Sequence, residues 1–315
     1  MRSATSLCRE ICQPGKKVEY SWTPASDIEV PLLLCRGLEA GPLVVATAGI
    51  HGDEYEGMQA VWKAYESLVP QKMRGDFLGV PVAHVAAYRG VSRESPLDGK
   101  NLARSFPGRL EGTVTERLAH FLFQEVVLKS DLVMDFHSGG IKYRFLPLVG
   151  YYDLPNESSA KSLQVARCMP LGFRWKLPHT PGVLTYEASK LNIPAIGAEY
   201  LGEGKLDPNG VSVYVDGIMA ALRHLGILAG GDGPHLPQTA IEGDWMLASQ
   251  DGFFQSSVAV GQRVCRNQEL GAIVAVSGKL LQEFKASQDG LVLGIRTVAH
   301  IGKGDWAVAV VKEAD

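Results

Sequence analysis

Short apolar runs followed by amphipathic stretches recur along the first two thirds of the chain. The run at 43–46 predicts a buried strand, and apolar side chains at helical spacing predict a helix from about Glu54 to Leu68. Residues 15–37 read as strands and turns, with Pro31 placing the start of one strand at the edge of a sheet. This alternation of strands and helices favours an α/β fold.

Further elements of both kinds continue the alternation. Thr113 and Glu116 have the spacing of a capping box, so we expect a helix to begin near Thr113. Apolar runs predict strands at 131–136 and 193–198, the second ending at Glu199. Two more helices are expected, at about 156–169 and 209–225.

The pattern changes to strands alone after a Gly- and Pro-rich linker at 229–237. The pentapeptide Ala-Ser-Gln-Asp-Gly occurs at 248–252 and again at 286–290, and a strand-like run and a glycine turn follow each copy. Two half-repeats of this kind predict a small pseudo-symmetric β sandwich. We therefore expect two domains, residues 1–232 and 233–315.

Composition narrows the range of functions. With 315 residues, 46% of them hydrophobic, the chain can bury a sizeable core, and a formal net charge of -3 gives no electrostatic case for binding nucleic acid or an anionic membrane. No apolar run approaches the roughly 18 residues of a membrane span, and the N-terminus lacks the apolar centre of a signal peptide. Five scattered cysteines without a Cys-x-x-Cys pair indicate reduced thiols. We expect a cytoplasmic protein, and the sequence is compatible with a homo-oligomer.

Three of the predicted strands end near side chains that can bind metal or transfer protons. His51 and Glu54 follow the strand at 43–46, His137 follows the next strand, and Glu199 follows the third. Ligands of open α/β sheets bind outside the carboxyl ends of the strands, so these side chains are expected to converge there.

Two histidines and a carboxylate are a ligand set of catalytic zinc, which keeps a further position for water. We therefore predict one zinc ion per chain on His51, Glu54 and His137. Zinc activates water at neutral pH, and Glu199 could accept the proton and pass it to a leaving amine. A His-x-x-Glu pair alone is common by chance, and the prediction depends on the joint pattern.

Other titratable side chains have simpler interpretations. Asp53 and Glu56 are expected to be solvated or to support a ligand histidine. The remaining histidines fit no ligand spacing and are expected to be surface or satisfied core residues: His84, His120, His179, His224, His235 and His300.

The polar loop at 93–108 has prolines and glycines to fix its course and arginines to bind anions. A guanidinium matches a carboxylate in shape, so Arg104 is a candidate clamp for a substrate carboxylate, and Arg93 or Arg104 could polarise the scissile carbonyl. Asn101 in the same loop is a further candidate for substrate binding. The alternative is an ordinary pair of surface arginines.

Four ordered motifs resemble the succinylglutamate desuccinylase/aspartoacylase family, relatives of the zinc carboxypeptidases. They are Gly-Ile-His-Gly-Asp-Glu, Asp-Gly-Lys-Asn-Leu-Ala-Arg-Ser-Phe-Pro-Gly, Asp-Phe-His-Ser-Gly and Ile-Gly-Ala-Glu, within residues 40–225. The resemblance implies zinc on His51, Glu54 and His137, acid–base chemistry by Glu199 and carboxylate binding by Arg104. It also implies a carboxypeptidase-like mixed sheet with flanking helices, followed by a small all-β, barrel-sandwich-like domain that borders the active site.

One position departs from the family pattern. Many members have Asn-Arg where this chain has Ala103-Arg104, so an amide donor to the substrate carboxylate is missing. In this respect the sequence looks closer to the bacterial branch that includes N-acetyl-diaminobutyrate deacetylases.

The C-terminal segment resembles half of a biotinyl/lipoyl hammerhead motif, in Val260-Gly-Gln-Arg-Val and Leu270-Gly-Ala-Ile. A carrier domain needs a lysine at an exposed hairpin tip, and Lys279 in Ser-Gly-Lys comes nearest to that setting. We expect a domain with this fold whose lysine carries no biotinyl or lipoyl group.

These observations predict a zinc-dependent amidohydrolase that removes a small acyl group from an amino acid or a related metabolite. A zinc carboxypeptidase acting on short peptides shares the ligand set and is the first alternative. A non-catalytic carrier or binding protein, modified on Lys279, is the second.

Overall fold

A twelve-stranded mixed sheet runs through the computed structural model, which describes residues 6–231 and 237–314. The strands are β1 (Lys16–Ala25), β2 (Ile28–Arg36), β3 (Glu39–Ala48), β4 (Arg74–Val80), β5 (Leu132–His137), β6 (Tyr143–Tyr151), β7 (Phe173–Lys176), β8 (Ala195–Gly202), β9 (Thr239–Leu247), β10 (Gly252–Ser256), β11 (Arg263–Val264), β12 (Glu269–Val274), β13 (Leu280–Lys285), β14 (Gly290–Arg296), β15 (His300–Ile301) and β16 (Trp306–Glu313). The α-helices are α1 (Leu7–Ile11), α2 (Glu56–Ser67), α3 (Val85–Arg89), α4 (Val114–Glu125), α5 (Glu157–Cys168), α6 (Leu184–Lys190) and α7 (Pro208–His224).

The large sheet has the order β1-β2-β4-β3-β5-β8-β6-β7-β9-β16-β14-β11. Its centre is parallel, because β3 pairs in parallel with β4 and β5, and β5 in parallel with β8. Helices α2, α5 and α7 pack on one face, and α1, α4 and α6 pack on the other. This arrangement confirms the predicted α/β fold with flanking helices.

The local signals in the sequence match the observed boundaries closely. The backbone N–H of Thr113 donates to Glu116 at 2.9 Å, so the predicted capping box does begin α4. Pro31 precedes the stretch of β2, from Leu33 onward, that pairs with β4, and it therefore leaves that ladder intact. The predicted strands and helices appear as β3, β5, β8, α2, α5 and α7.

The C-terminal strands form the predicted β sandwich. A four-stranded sheet of order β13-β12-β10-β15 packs over β11, β14 and β16, with a core that includes Phe254, Ile273 and Val292. Each half-repeat pairs with the other, because β10 pairs with β15 and β14 pairs with β11. The pseudo-symmetry expected from the repeated pentapeptide is therefore present in the strand pairing.

Strands from both halves of the chain also close a small barrel. The ring runs β6-β7-β9-β16-β14 and returns from β14 to β6. Its interior is aromatic and includes Tyr143, Phe145, Trp175 and Trp245. The barrel makes one hydrogen-bonded sheet of the two predicted domains, and the boundary at 232/233 stays a prediction because residues 232–236, including His235 and most of the predicted linker, lie outside those described.

Two observations concern membrane-spanning helices and disulfide bonds. None of the helices in the described ranges has the length and hydrophobicity that a transmembrane segment needs. All five cysteines are free, as the sequence predicts, and four of them are buried.

Candidate functional site

The register of the central strands brings the predicted site residues to one edge of the sheet. Within the β5–β8 pair His137 lies opposite Glu199, and the loop that follows β3 carries His51 and Glu54 over the same edge. The predicted end of the third strand is wrong, because β8 continues past Glu199 to Gly202 by pairing with β6. Glu199 is nevertheless at the carboxyl end of the β5–β8 pairing.

His51, Glu54 and His137 form a cluster in which one potential ligand atom of each lies within 4.8 Å of the others. Nδ1 of His51 lies 2.8 Å from Oε1 of Glu54, and Nδ1 of His137 lies 2.9 Å from Oε2 of Glu54. Both imidazoles thus turn the same nitrogen toward one buried carboxylate. The three side chains offer a two-nitrogen, one-carboxylate donor set to a common point.

The outer nitrogen of each histidine is held by an oxygen. Nε2 of His137 lies 2.9 Å from Oδ2 of Asp135, and Nε2 of His51 lies 3.2 Å from Oδ1 of Asn101. Asp135 is itself fixed by a 2.6 Å hydrogen bond from the Thr47 hydroxyl. Histidines that bind metal commonly donate their other N–H to such an oxygen, which fixes the tautomer and the ring orientation. The donor set of two imidazoles and one carboxylate therefore fits a zinc ion.

Asp135 is a site residue that the sequence analysis missed. The signal was present, because Asp135 and His137 are two residues apart on one strand and such residues face the same side of a sheet. Asn101, predicted to bind substrate, instead contacts His51 and accepts from the backbone N–H of Ala103 at 2.8 Å. Its role toward the substrate stays a prediction.

Burial and charge set the protonation of the cluster. Desolvation, followed by the charge of Arg93, lowers the pKa of His51 to about 4, so this imidazole is neutral near pH 7. Burial also acts to lower the pKa of His137, but the carboxylates of Asp135 and Glu54 outweigh it and raise that pKa well above its usual value. Burial opposes the charge on Glu54, yet the two histidines hold its pKa far below the ordinary range.

Glu199 has the environment of a proton-transfer group. Its Oε2 is shielded from solvent and has no hydrogen-bond partner within the described part of the chain. Desolvation raises the pKa of Glu199 to about 8, although the charge of His137 acts in the opposite direction. Glu199 therefore needs little free energy to bind or release a proton near neutral pH.

The two predicted arginines lie together beside the cluster. Nη1 of Arg93 donates to Oε1 of Glu54 at 2.9 Å, and Nη1 of Arg104 donates to the carbonyl of Ala103 at 2.9 Å. Arg104 and Asn101 line a pocket of about 380 Å³, in which Arg104 stays accessible to solvent. Desolvation and then the charge of Arg93 lower the pKa of Arg104. Lys100 and Arg109 in the same lining pair with the Glu116 carboxylate, so Arg104 is the cation of this pocket that suits an anionic group.

Asp53 and Glu56 are buried, so the expectation that they are solvated is wrong. Asp53 accepts from the backbone N–H of Ile141 at 2.8 Å, and Glu56 accepts from that of Asp207 at 3.1 Å. The first bond fixes the turn after His137, and the second fixes the start of α7. Carboxylates are usually exposed, so the sequence alone predicted solvation for two side chains that in fact lie buried next to the loop that carries Glu54.

The remaining histidines in the described ranges lie outside this cluster, as predicted. One of them, His84, departs from the expectation of a satisfied core residue. It is buried, and its Nδ1 has no hydrogen-bond partner in residues 6–231 and 237–314.

Gly52 allows the His51 loop to approach α3 closely. A Cβ at this position would lie 2.0 Å from the carbonyl carbon of Ala87 and 2.2 Å from its oxygen. We expect Gly52→Ala to lower the free energy of unfolding by about 1–3 kcal/mol, because backbone on both sides must move. It should also displace His51 and weaken metal binding.

Urea unfolding and metal titration measure the two effects of Gly52→Ala. Gly172→Ala is the matched control, because nothing lies within 4 Å of a Cβ built there. Equal stabilities of the two variants would show that the loop tolerates the added methyl group.

Comparison with known proteins gives consistent matches along the chain. Residues 40–225 match the family model for the succinylglutamate desuccinylase/aspartoacylase catalytic domain. The N-alpha-acetyl-L-2,4-diaminobutyric acid deacetylase of Halomonas elongata is 29% identical, with 95% of this chain and 89% of the relative covered. The product-bound structure of the ectoine utilization protein EutE (DoeB) from Ruegeria pomeroyi is 26% identical and has a TM-score of 0.83, with 94% and 93% covered. The succinylglutamate desuccinylase/aspartoacylase structure from Rhodobacter sphaeroides is 25% identical, also with a TM-score of 0.83, and 95% and 94% are covered.

Proposed function

The chain belongs to the succinylglutamate desuccinylase/aspartoacylase family, and on that premise we propose that it is a zinc-dependent deacylase of a small N-acylated amino acid or a related metabolite. One observation carries the proposal. The cluster of His51, Glu54 and His137 presents three donors to one point, with the outer histidine nitrogens fixed, beside the shielded carboxyl group of Glu199. We place the enzyme in the cytoplasm because its five cysteines are free thiols.

His51, Glu54 and His137 hold one zinc ion per chain in this proposal. Bound there, zinc supplies a Lewis acid and lowers the pKa of its water toward about 7. Asp135 and Asn101 would keep the two imidazoles oriented for the ion, with Nδ1 of each turned toward the Glu54 carboxylate as it is in this structure.

The other site residues have separate roles. Glu199 takes the proton from the attacking water and gives it to the leaving amine, for which its raised pKa is suited. Arg93, which already contacts the Glu54 carboxylate, stabilises the charge that develops on the amide carbonyl oxygen. Arg104 binds the substrate carboxylate, and the Asn101 amide supports it from the same pocket.

Ala103 favours a substrate whose carboxylate is bound without a second amide donor. Its buried methyl group replaces the amide donor that many family members have at this position, and its carbonyl accepts from Arg104. The relative from Halomonas elongata acts on N-alpha-acetyl-L-2,4-diaminobutyric acid, whose side chain is an amine. We propose an acetylated amino acid of this kind as the substrate class.

A substrate panel tests the function. Purified zinc-loaded protein is assayed with N-acetyl amino acids, Nα-acetyl-2,4-diaminobutyrate among them, and with short peptides that have free or blocked C-termini. We expect kcat/KM for an acetylated amino acid to exceed that for any peptide by at least about 10-fold, since one lost contact changes kcat/KM by such factors. Faster hydrolysis of free peptides would instead assign a zinc carboxypeptidase.

The carrier alternative has one observation in its favour. Lys279 is exposed in the hairpin between β12 and β13, where its carbonyl accepts from the backbone N–H of Ala275 at 2.8 Å. Intact mass of protein from its native host decides this alternative. A biotinyl or lipoyl mass increment on Lys279 would support a carrier, and an unmodified lysine would reject it.

Asp135→Ala should weaken zinc binding about 10- to 100-fold, as removal of a histidine's oxygen partner does in other zinc sites. The reason is that Nε2 of His137 loses its 2.9 Å contact and the ring is free to rotate. Asp135→Asn keeps an acceptor oxygen and should lose less affinity. Zinc affinity is measured by competition with a chelator, with the exposed Asp216→Ala on α7 as the control. Unchanged affinity in Asp135→Ala would contradict the role given to this carboxylate.

A further inference from the structure

An indole from the C-terminal strands reaches both arginines of the site. The ring centroid of Trp306 lies 5.9 Å from the guanidinium carbon of Arg93 and 5.8 Å from that of Arg104. Both distances are within the range at which a cation is attracted to an aromatic face. One side chain thus contacts two cations that belong to the other half of the chain.

The position of Trp306 is fixed from behind by the barrel. Its indole stacks on Trp245 with a centroid distance of 4.9 Å and an angle of 11°. Trp306 begins β16, and Tyr143 begins β6, so both rings lie at one end of the barrel. Arg93 also lies 6.0 Å from the Tyr143 ring, whose centroid is 5.7 Å from that of Trp306, so its guanidinium lies near two adjacent aromatic side chains. Packing against the aromatic residues of the barrel therefore holds the Trp306 indole in place.

The two arginines need such a support. Like charges at close range repel, and within the described ranges the carboxylate bonded to Arg93 is Glu54, which the proposed function assigns to the metal. The hydrogen bond of Arg104 goes to a backbone carbonyl, which carries no full charge to balance the cation. The electron-rich faces of Trp306 and Tyr143 offset part of the repulsion without occupying the outward N–H groups.

We propose that Trp306 is a positioning residue that holds Arg93 and Arg104 side by side, and that the C-terminal strands set the affinity for the substrate carboxylate through it. This inference rests on the proposed function for the identity of the substrate. Its structural part, the contact of both guanidinium groups with one indole, is independent of the reaction.

The test compares one aromatic replacement of Trp306 with two aliphatic ones. Trp306→Phe keeps an aromatic face, whereas Trp306→Leu keeps apolar volume against Trp245 without one; Trp306→Met is a second aliphatic replacement. With Nα-acetyl-2,4-diaminobutyrate, we expect Trp306→Leu to raise KM about 10-fold because Arg104 loses its support, and to lower kcat as well because Arg93, which the proposed function assigns to the amide oxygen, loses the same support. Trp306→Phe should stay within about 3-fold of the wild type. With the carboxamide of the same compound, the wild type and the Trp306 variants should have similar KM.

Several outcomes would overturn the proposal. They are an unchanged KM in Trp306→Leu, equal effects of Leu and Phe, or an equal effect on the carboxylate and the carboxamide. Trp62→Leu on the exposed face of α2 is the control for loss of an indole and should match the wild type.

A second readout separates this inference from the proposed function. Phenylglyoxal modifies accessible arginines, and peptide mapping follows each one. Trp306→Leu should speed modification of Arg93 and Arg104 relative to Trp306→Phe, while the exposed Arg263 reacts at the same rate in both. If the wild type hydrolyses no compound of the panel, the proposed function fails, and these rates still decide whether Trp306 shields the arginines. Equal modification rates in the two variants would show that the indole of Trp306 does not cover the two guanidinium groups.

Discussion

Replacing Glu199 by glutamine is expected to lower kcat about 10²- to 10⁴-fold while the protein keeps its zinc. The amide has the shape of the carboxyl group, so packing around β8 should be preserved. It cannot accept a proton from the attacking water, and no other carboxylate shares the position of Glu199 opposite His137 in the β5–β8 register. The loss should therefore appear in the rate of the chemical step and leave metal binding intact.

The pH dependence of kcat/KM tests which protonation state of Glu199 is active. Desolvation raises the pKa of Glu199 to about 8 in the metal-free protein, and a bound dication will move it down from there. In the proposed mechanism the basic form of Glu199 is the active one, so wild-type kcat/KM should fall as pH drops below the pKa of this group. The residual activity of Glu199→Gln should lack this limb.

Metal content, kcat and the pH profile are measured together on the Glu199 variant. Glu242→Gln is the control, because Glu242 is an exposed carboxylate on β9 paired with Lys312 and should change none of the three quantities. A Glu199→Gln variant that retains more than about a tenth of wild-type kcat would remove this residue from proton transfer.

Local patterns predicted the part of the site that lies on single elements. His51, Glu54 and His137 each follow an apolar run, and the sheet rule that places ligands at the carboxyl ends of strands brings them together. The capping box at Thr113 likewise depends on neighbouring residues only. These features could be predicted because the physical cause lies within a few positions of the residue concerned.

The features that escaped prediction depend on contacts between distant parts of the chain. β6 pairs with β14, about 150 positions away, and no local pattern states which strand a given strand will pair with. That pairing closes the barrel and brings Trp306 to the arginines, while the pairing of β6 with β8 extends β8 beyond Glu199. The expectation of a β domain bordering the site came from the family resemblance, and the particular indole could come from the structure alone.

Removing zinc is expected to abolish deacylase activity, and adding one equivalent back should restore it. Chelation takes away the Lewis acid that activates the water, an effect that the protein's side chains cannot replace. His51→Ala and His137→Ala should lose stoichiometric zinc and activity together, because each removes one of three donors. The exposed His300→Ala is the control and should bind zinc and turn over as the wild type does.

Zinc binding should also release about one proton near neutral pH, since ligands must be deprotonated to bind metal. Asp135 and Glu54 keep His137 protonated in the metal-free protein against the effect of burial, whereas the pKa of His51, about 4, leaves that imidazole already neutral. The apparent zinc affinity should therefore weaken as pH falls, and His137 is the group that sets the change. Calorimetry in buffers of different ionisation enthalpy counts the protons, and thermal unfolding should show a higher Tm with zinc, by linkage. Deacylase activity that survives complete removal of the metal, with zinc content measured on the same sample, would contradict the assignment of His51, Glu54 and His137 as the catalytic metal centre.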